Sequence, residues 1–290
     1  AKALRPLSGM TETAQAISEG NDLTRRIRLV GGRDEVHVLA HTFDQMMERL
    51  QSTFEREKQF TSDVSHELRT PVAVILSQCE YASQEGTPPE ELRGSIGVIG
   101  NQARKMSALI SQLLTLARAD SGKQKLQYEL VNLSELAEII VEEQGISAEE
   151  KGITLETDIQ SEILLRADET MMMRLFINLI SNSITYGKPG GHTLVTLSAD
   201  ETEITGSVQD DGIGIPADKL DKIWQRFYQV DPARTSGSGS GSGLGLPMVK
   251  WIVQAHGGRI EVASRLGEGT CFTFHFPRQT DRTDENPDFS

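Results

Sequence analysis

The sequence predicts a multi-domain chain of mixed α and α+β class, a helical stalk and hairpin followed by a two-layer α/β sandwich. Three observations carry this. Apolar residues recur at spacings of three and four over the first third of the chain. A proline-bearing turn, EGTPPEE (85–91), folds that pattern back on itself. Beyond residue 122, short strand-like runs alternate with helical ones.

Residues 1–53 read as a short helix, a Gly-containing connector and a second helix. In the second, Val36, Leu39, Phe43, Met46 and Leu50 form a seam for a neighbouring helix. Asp34 and Glu35 sit where a helix N-terminus favours acids.

Over residues 54–122 the seam continues through Phe54, Thr61, Val64 and Leu68. Pro88 and Pro89 suit the opening of the next helix. That helix carries Leu92, Ile96, Ile99, Ala103, Met106, Ile110 and Leu113, alternating four and three. Two such helices leave one side of the seam bare, so the expected state is an antiparallel hairpin that dimerises into a four-helix bundle. Taken by themselves, the heptads favour a purely structural coiled coil.

Residues 123–278 have mixed patterning. KLQYELV, ITLETDI, EILLRA, HTLVTLSA, EITGSVQD, GRIEVAS and TCFTFHFP read as strands, and 133–149, 169–186 and 244–256 as helices. Asn132 with Glu135 forms a capping-box pattern, and Asp168 is placed to cap the next helix. The tract SGSGSGSG (236–243) is a flexible, solvated segment or an artificial linker standing in for a native one. The polar tail, 279–290, is expected to be disordered.

A chain of 290 residues has room for about two domains. Its 37% hydrophobic content supports real cores, and its net charge of −13 argues against a nucleic-acid binder, which needs a basic face. Cys79 and Cys271 are far apart and have no metal-ligand spacing, as expected of reduced cytosolic thiols. No apolar run is long enough to cross a bilayer, and no signal peptide is visible. The chain opens inside a helix, as a piece of a longer protein would.

Three segments in the last third carry chemistry. DDGIGIP (210–216) follows a strand; its glycines let backbone approach a flat ligand, and Asp210 can accept from an exocyclic amine. GSGLGLPMVKWIV (241–253) is a Gly-rich loop opening a helix, where backbone N–H groups and the helix dipole suit phosphates. RLFINLISNSITYG (174–187) sets Asn178, Asn182 and Tyr186 on one stripe, with Leu175, Phe176, Leu179 and Ile180 on the buried side. Amide oxygens along a helix edge suit Mg²⁺, which keeps waters and takes further ligands from phosphates.

Together these segments resemble the ATP-binding domain of sensor histidine kinases and the wider GHKL ATPases. NLISNS is similar to the N box, DDGIGIP to the G1 box, IWQRFYQVD (223–231) to the F box, GSGLGLPMVK to the G2 box and GEGTCFTFHFP to the last strand pair. The resemblance implies a Bergerat-type ATP-binding fold over 123–278, with ATP and Mg²⁺ as cofactors. It implies that Asn182 coordinates the metal, Asn178 assists, Tyr186 packs near the adenine and Asp210 binds the adenine amine. Gly212, Gly214, Gly241, Gly243, Leu244, Gly245 and Thr270 are the other implied pocket residues, with Lys250 near the phosphates and 231–243 as a lid.

SHELRTP (65–71) is similar to the H box of the same kinases. By that resemblance His66 is the phosphoacceptor, and a neutral imidazole nitrogen is a competent nucleophile near pH 7. Glu67 could hold the other ring nitrogen and take its proton. Thr70, one turn on, would aim water when the partner is dephosphorylated. Pro71 removes a backbone N–H, frees the carbonyl near Glu67 and bends the helix. Residues 1–53 resemble a HAMP relay, with Pro6 opening its first helix, Gly20 ending it and Asp34-Glu35 starting the second.

Two positions depart from the family pattern. Gln229 stands where a basic residue often follows the aromatic pair, which leaves neutralisation of the phosphoryl group to Arg226 or Arg234. Thr185 stands where the N box often carries a lysine.

The resemblance implies the cytosolic portion of a bacterial inner-membrane sensor whose membrane span precedes residue 1. It implies a homodimer that autophosphorylates His66, passes the group to a response-regulator aspartate and also dephosphorylates that regulator. A conformational GHKL ATPase, or a degenerate kinase acting as a scaffold, are the rival readings.

Overall fold

A computed structural model describes residues 11, 23, 24, 26, 27, 35–230 and 241–278. The expectations at Pro6, Gly20, Asp34 and Arg234, on the 236–240 part of the SGSG tract and on the 279–290 tail lie outside those residues. The chain divides into two units, Ala1–Ala73 and Val74–Ser290.

Helix α1, Glu35–Ala82, carries the seam and the SHELRTP segment. It continues past Pro71. Proline there supplies no N–H, which strips the Glu67 carbonyl of its helical donor. Helix α2, Pro89–Asp120, starts as the sequence indicates: Pro88 is an extended N-cap, Pro89 opens the helix, and Glu90 and Glu91 face the positive end of its dipole. Across the turn, the Tyr81 hydroxyl donates to the Glu91 carboxylate.

The remaining elements are β1 (Glu129–Asn132), α3 (Leu133–Glu150), β2 (Thr154–Ile159), β3 (Leu164–Ala167) and α4 (Glu169–Tyr186). Then come β4 (His192–Ala199), β5 (Glu203–Asp210), a single 3₁₀ turn at Ala217–Lys219, α5 (Gly245–Ala255), β6 (Arg259–Arg265) and β7 (Gly269–Pro277). Strands β1 and β3 pair antiparallel as a small sheet. The main sheet runs β2-β4-β5-β7-β6, with β2 and β4 parallel and the other pairs antiparallel.

Both proposed caps form. The Asn132 side chain accepts from the Glu135 N–H at 3.3 Å, and Asp168 accepts from Met171 N–H at 3.0 Å. The other Asp168 oxygen accepts from Gln127 N–H at 2.9 Å, tying the segment ahead of β1 to the start of α4.

Burial alternates along β4, β5 and β7, so one sheet face is covered by helices and the other is half open. Val195, Leu197, Ile204, Val208, Phe272, Phe274 and Phe276 point inward, against Leu175, Phe176, Leu179 and Ile180 of α4 and Met248, Val249, Ile252 and Val253 of α5. Phe176 and Phe274 meet edge-on with centroids 5.7 Å apart. Each such side chain contributes about 1.5–3 kcal/mol on burial. This packing fixes α4 and α5 over the sheet, one end of which is where β4 and β7 begin and β5 ends.

Candidate active site

At that end three polar residues stand side by side on the helix-covered face. Thr193 of β4 pairs with Asp210 of β5, and Asp210 pairs with Thr270 of β7. Asp210 is the acid singled out from DDGIGIP. One of its oxygens accepts from Gly212 N–H at 2.8 Å. Burial pushes its carboxyl above the usual range, against the pull of the Gly212 and Thr270 N–H groups; Asp211 adds to the rise and Lys188 opposes it. A carboxylate held this way has a strong appetite for a further donor, which an exocyclic amine supplies.

Helix α4 sets the wall of the pocket. The Tyr186 carbonyl accepts from Ile213 N–H at 3.1 Å, pinning the glycine turn to the helix end. The Tyr186 phenol is buried enough to raise its pKa. Asn178 donates its amide N–H to the Arg174 carbonyl at 2.7 Å. That leaves its Oδ1 facing Gly245, only 2.9 Å from where a β-carbon would stand, so a side chain at the opening residue of α5 would displace the Asn178 amide. Asn182 lies one turn further along, half buried.

The turn itself is locked. Gly214 has φ +66°, and a β-carbon there would lie 2.0 Å from the Arg265 carbonyl oxygen. Ile215 N–H donates to Ser264 Oγ at 2.8 Å, and Ser264 Oγ meets Thr270 Oγ1 at 2.9 Å. Lys188 Nζ donates to the Gly267 carbonyl at 2.7 Å.

The glycine-rich loop meets the aromatic segment at its two ends. Phe227 N–H donates to the Gly243 carbonyl at 2.9 Å, and Gln229 Nε2 donates to the Gly241 carbonyl at 2.7 Å. Phe227 itself holds φ +59°, a conformation rare for a bulky residue and offset by that contact. Gln229, the departure from the family pattern, therefore has a structural task. Leu244 is fully buried ahead of α5. Lys250 lies over the Trp224 ring, 5.6 Å from its centroid. Arg226 is paired with Asp120 at 2.7 Å.

Among the described residues no three His, Cys, Asp or Glu side chains gather as a metal site. The donor set fits a hard cation held in another way, by the Asn182 amide oxygen together with waters and phosphate oxygens.

The other candidate residues lie on α1, in the first unit. His66 and Thr70 are exposed and Glu67 is half buried. Burial first, then the like charge of Asp63 one turn earlier, pushes the Glu67 carboxyl above its usual range, against the pull of His66. That direction makes it a better proton acceptor than an ordinary carboxylate.

Family models cover most of the chain. Residues 167–280 match the histidine kinase-, DNA gyrase B- and HSP90-like ATPase family, 56–122 the His Kinase A (phospho-acceptor) domain and 1–52 the HAMP domain. The chain belongs to the sensor histidine kinases.

Among curated relatives of this kinase, the sensor protein CutS of Streptomyces coelicolor is 32% identical over 277 residues, 95% of this chain and 66% of CutS. The sensor histidine kinase YclK of Bacillus subtilis is 31% identical over 84% of this chain and 53% of its own length. The chain thus spans less than two thirds of these relatives. Its fold is that of the histidine kinase ThkA in complex with the response regulator protein TrrA, at a TM-score of 0.60 and 22% identity, over 81% of this chain and 67% of that one. The ATPase domain implies ATP binding. The phosphoacceptor domain ahead of it disfavours a purely conformational ATPase.

Strands β1 and β2, helix α3 and nearly all of β3 precede the matched ATPase segment, yet β2 pairs with β4 inside it and Gln127, ahead of β1, is tied to Asp168. Sequence reasoning missed Lys188, Ser264 and Thr193. The first two act through a backbone carbonyl and a side-chain relay that no spacing reveals. Thr193 did leave a signal, a hydroxyl in the inward register of an otherwise apolar strand.

Proposed function

We propose that this chain is the cytosolic part of a membrane sensor that uses ATP to phosphorylate His66 and then passes the phosphoryl group to an aspartate of a response regulator. One observation carries the reading: a single chain holds an exposed histidine beside a carboxyl of raised pKa on a phosphoacceptor helix, and a buried, donor-seeking Asp210 in an ATPase pocket. In the proposed step the bond between the γ-phosphorus and its bridging oxygen breaks, a bond from an imidazole nitrogen to phosphorus forms, and ADP leaves. Glu67 holds the proton of the other ring nitrogen. Asp210 orients the base, Tyr186 packs beside it, and the loop from Gly241 to Gly245 borders the phosphates. Mg²⁺, held by Asn182 with Asn178 assisting, would neutralise phosphate oxygens. The rest is positioning and charge stabilisation.

Leu76, Ile96, Ile110 and Leu114 are exposed on the second unit's helices in the single chain. Such a bare apolar seam supports a homodimer through a four-helix bundle. The HAMP match supports a place downstream of a membrane span, although no helix among the described residues is long and apolar enough to cross a membrane. TrrA, bound to ThkA, supports a receiver-domain partner here.

Incubation with ATP labelled at the γ-phosphate tests the reading. Wild-type protein is expected to gain base-stable, acid-labile label and His66→Gln none. Equal labelling of the two proteins would overturn it. Thr70→Ala is expected to raise the level of phosphorylated regulator without lowering label on His66; an unchanged level removes the phosphatase role.

A further inference from the structure

The row Thr193–Asp210–Thr270 contains one polar group for which the fold has no use. Thr270 Oγ1 is paired with Ser264, and Asp210 accepts from Gly212 N–H. Thr193 Oγ1 is buried, with the residue 1% exposed, and has no hydrogen-bond partner among the described residues. Its inward neighbours on β4, Val195 and Leu197, are apolar. A buried hydroxyl without a partner destabilises a fold, and a valine of nearly the same shape does not carry that penalty. Thr193 is therefore a local choice against stability, and such choices concentrate at functional sites.

Its position says which function. Residues directly opposed in an antiparallel pair stand on one face with β-carbons about 4.5–5.5 Å apart. The Thr193 hydroxyl is thus within one side-chain rotation of the Asp210 carboxylate. We infer that Thr193 is a positioning residue for base recognition, donating its hydroxyl proton to the Asp210 carboxylate when a 6-aminopurine nucleotide binds. The inference rests on Asp210 being the base-binding acid of the proposed kinase.

The chemistry makes this a specificity device. An ionised Asp210 accepts from a 6-amino group and repels a 6-oxo group, whereas a protonated one could donate to the oxo form. Burial favours protonation. A hydroxyl can donate to the ionised form, so Thr193 holds Asp210 in the state that selects adenine. Thr193 does not touch the base; it acts through the carboxylate.

The test compares Thr193→Val and Thr193→Ser with wild type, using displacement of a fluorescent ATP analogue and thermal melting. The competing ligands are ATP and the triphosphate of purine riboside, which has no 6-amino group. Thr193→Val is expected to melt no lower than wild type in the absence of nucleotide and to bind ATP about tenfold more weakly, the loss of one hydrogen bond to a charged group. Its affinity for purine riboside triphosphate should stay unchanged, and Thr193→Ser should recover ATP binding. Should the valine variant melt lower, Thr193→Cys, which keeps only a weak donor, carries the same comparison. Unchanged ATP affinity, or an equal loss for both nucleotides, overturns the inference while the ATP reading stands. Failure of the wild type to bind either nucleotide overturns both.

Discussion

The Arg226 guanidinium donates to the Asp120 carboxylate at 2.7 Å, joining the aromatic segment beside the glycine-rich loop to the last residue of α2. Asp120 is 60% exposed and Arg226 28%, so the pair contributes less than about 1 kcal/mol to stability. Its interest is competitive, because Arg226 is one of the two arginines, with Arg234, offered for neutralising the transferred phosphoryl group. Asp120→Ala should leave the melting temperature within about 2 °C of wild type and raise the rate of base-stable labelling a few-fold by releasing Arg226 from Asp120. An unchanged rate assigns the pair to attachment alone.

Asn182 is the proposed metal ligand and stands half buried on the edge of α4, outside the packed row of Leu175, Leu179 and Ile180. Asn182→Ala should therefore fold and remain dimeric, since alanine is the better helix former. Labelling of His66 should fall by at least about 100-fold, in line with removal of an electrostatic anchor of a phosphoryl group. Retention of labelling above one-tenth of wild type would remove Asn182 from the metal site.

Asp210 predicts a pH effect whose sign is fixed by burial. A carboxyl whose pKa is raised on folding contributes stability that is present below the ordinary value of about 3.9 and is lost as pH climbs through the raised one. Asp210→Asn removes that loss. The variant should gain melting temperature relative to wild type as pH rises from about 4 to 7, and it should lose ATP binding throughout. A constant gap across that range contradicts the assigned cause.

His256 predicts the opposite sign. Its Nδ1 faces the Ile252 carbonyl at 2.8 Å while its Nε2 accepts from Asp168 N–H at 3.1 Å, so the ring is neutral with the proton on Nδ1. Burial lowers its pKa, against the carbonyl contact and the Asp168 charge. A lowered histidine contributes stability that is present above the ordinary value of about 6.5 and lost as pH falls through the folded one. Thermal melts from pH 7 to 5 should fall more steeply for wild type than for His256→Asn. Parallel slopes would place the acid sensitivity elsewhere.

Strand and helix positions in the sandwich were legible in the sequence because each element is short and backed by one apolar face. Asn132 and Asp168 announce the starts of α3 and α4, and the alternation of Phe272, Phe274 and Phe276 announces β7. Asp210 and the amides of α4 stood out in the sequence as well, since they are polar groups at positions that packing does not demand. What stayed hidden depends on pairing between distant strands. That Thr193 lies beside Asp210 follows from the β4–β5 register, and that Arg226 lies beside Asp120 follows from the meeting of segments 106 residues apart. No spacing encodes either.

The paired contacts from Phe227 to Gly243 and from Gln229 to Gly241 clasp the chain on either side of residues 231–240. With its flanks clasped by their own hydrogen bonds, the number of residues between them becomes almost a free variable: doubling it adds only about 0.6 kcal/mol of closure entropy. Evolution, or an engineer, can then lengthen, shorten or rewrite residues 231–240 while Phe227, Gln229, Gly241 and Gly243 keep their contacts.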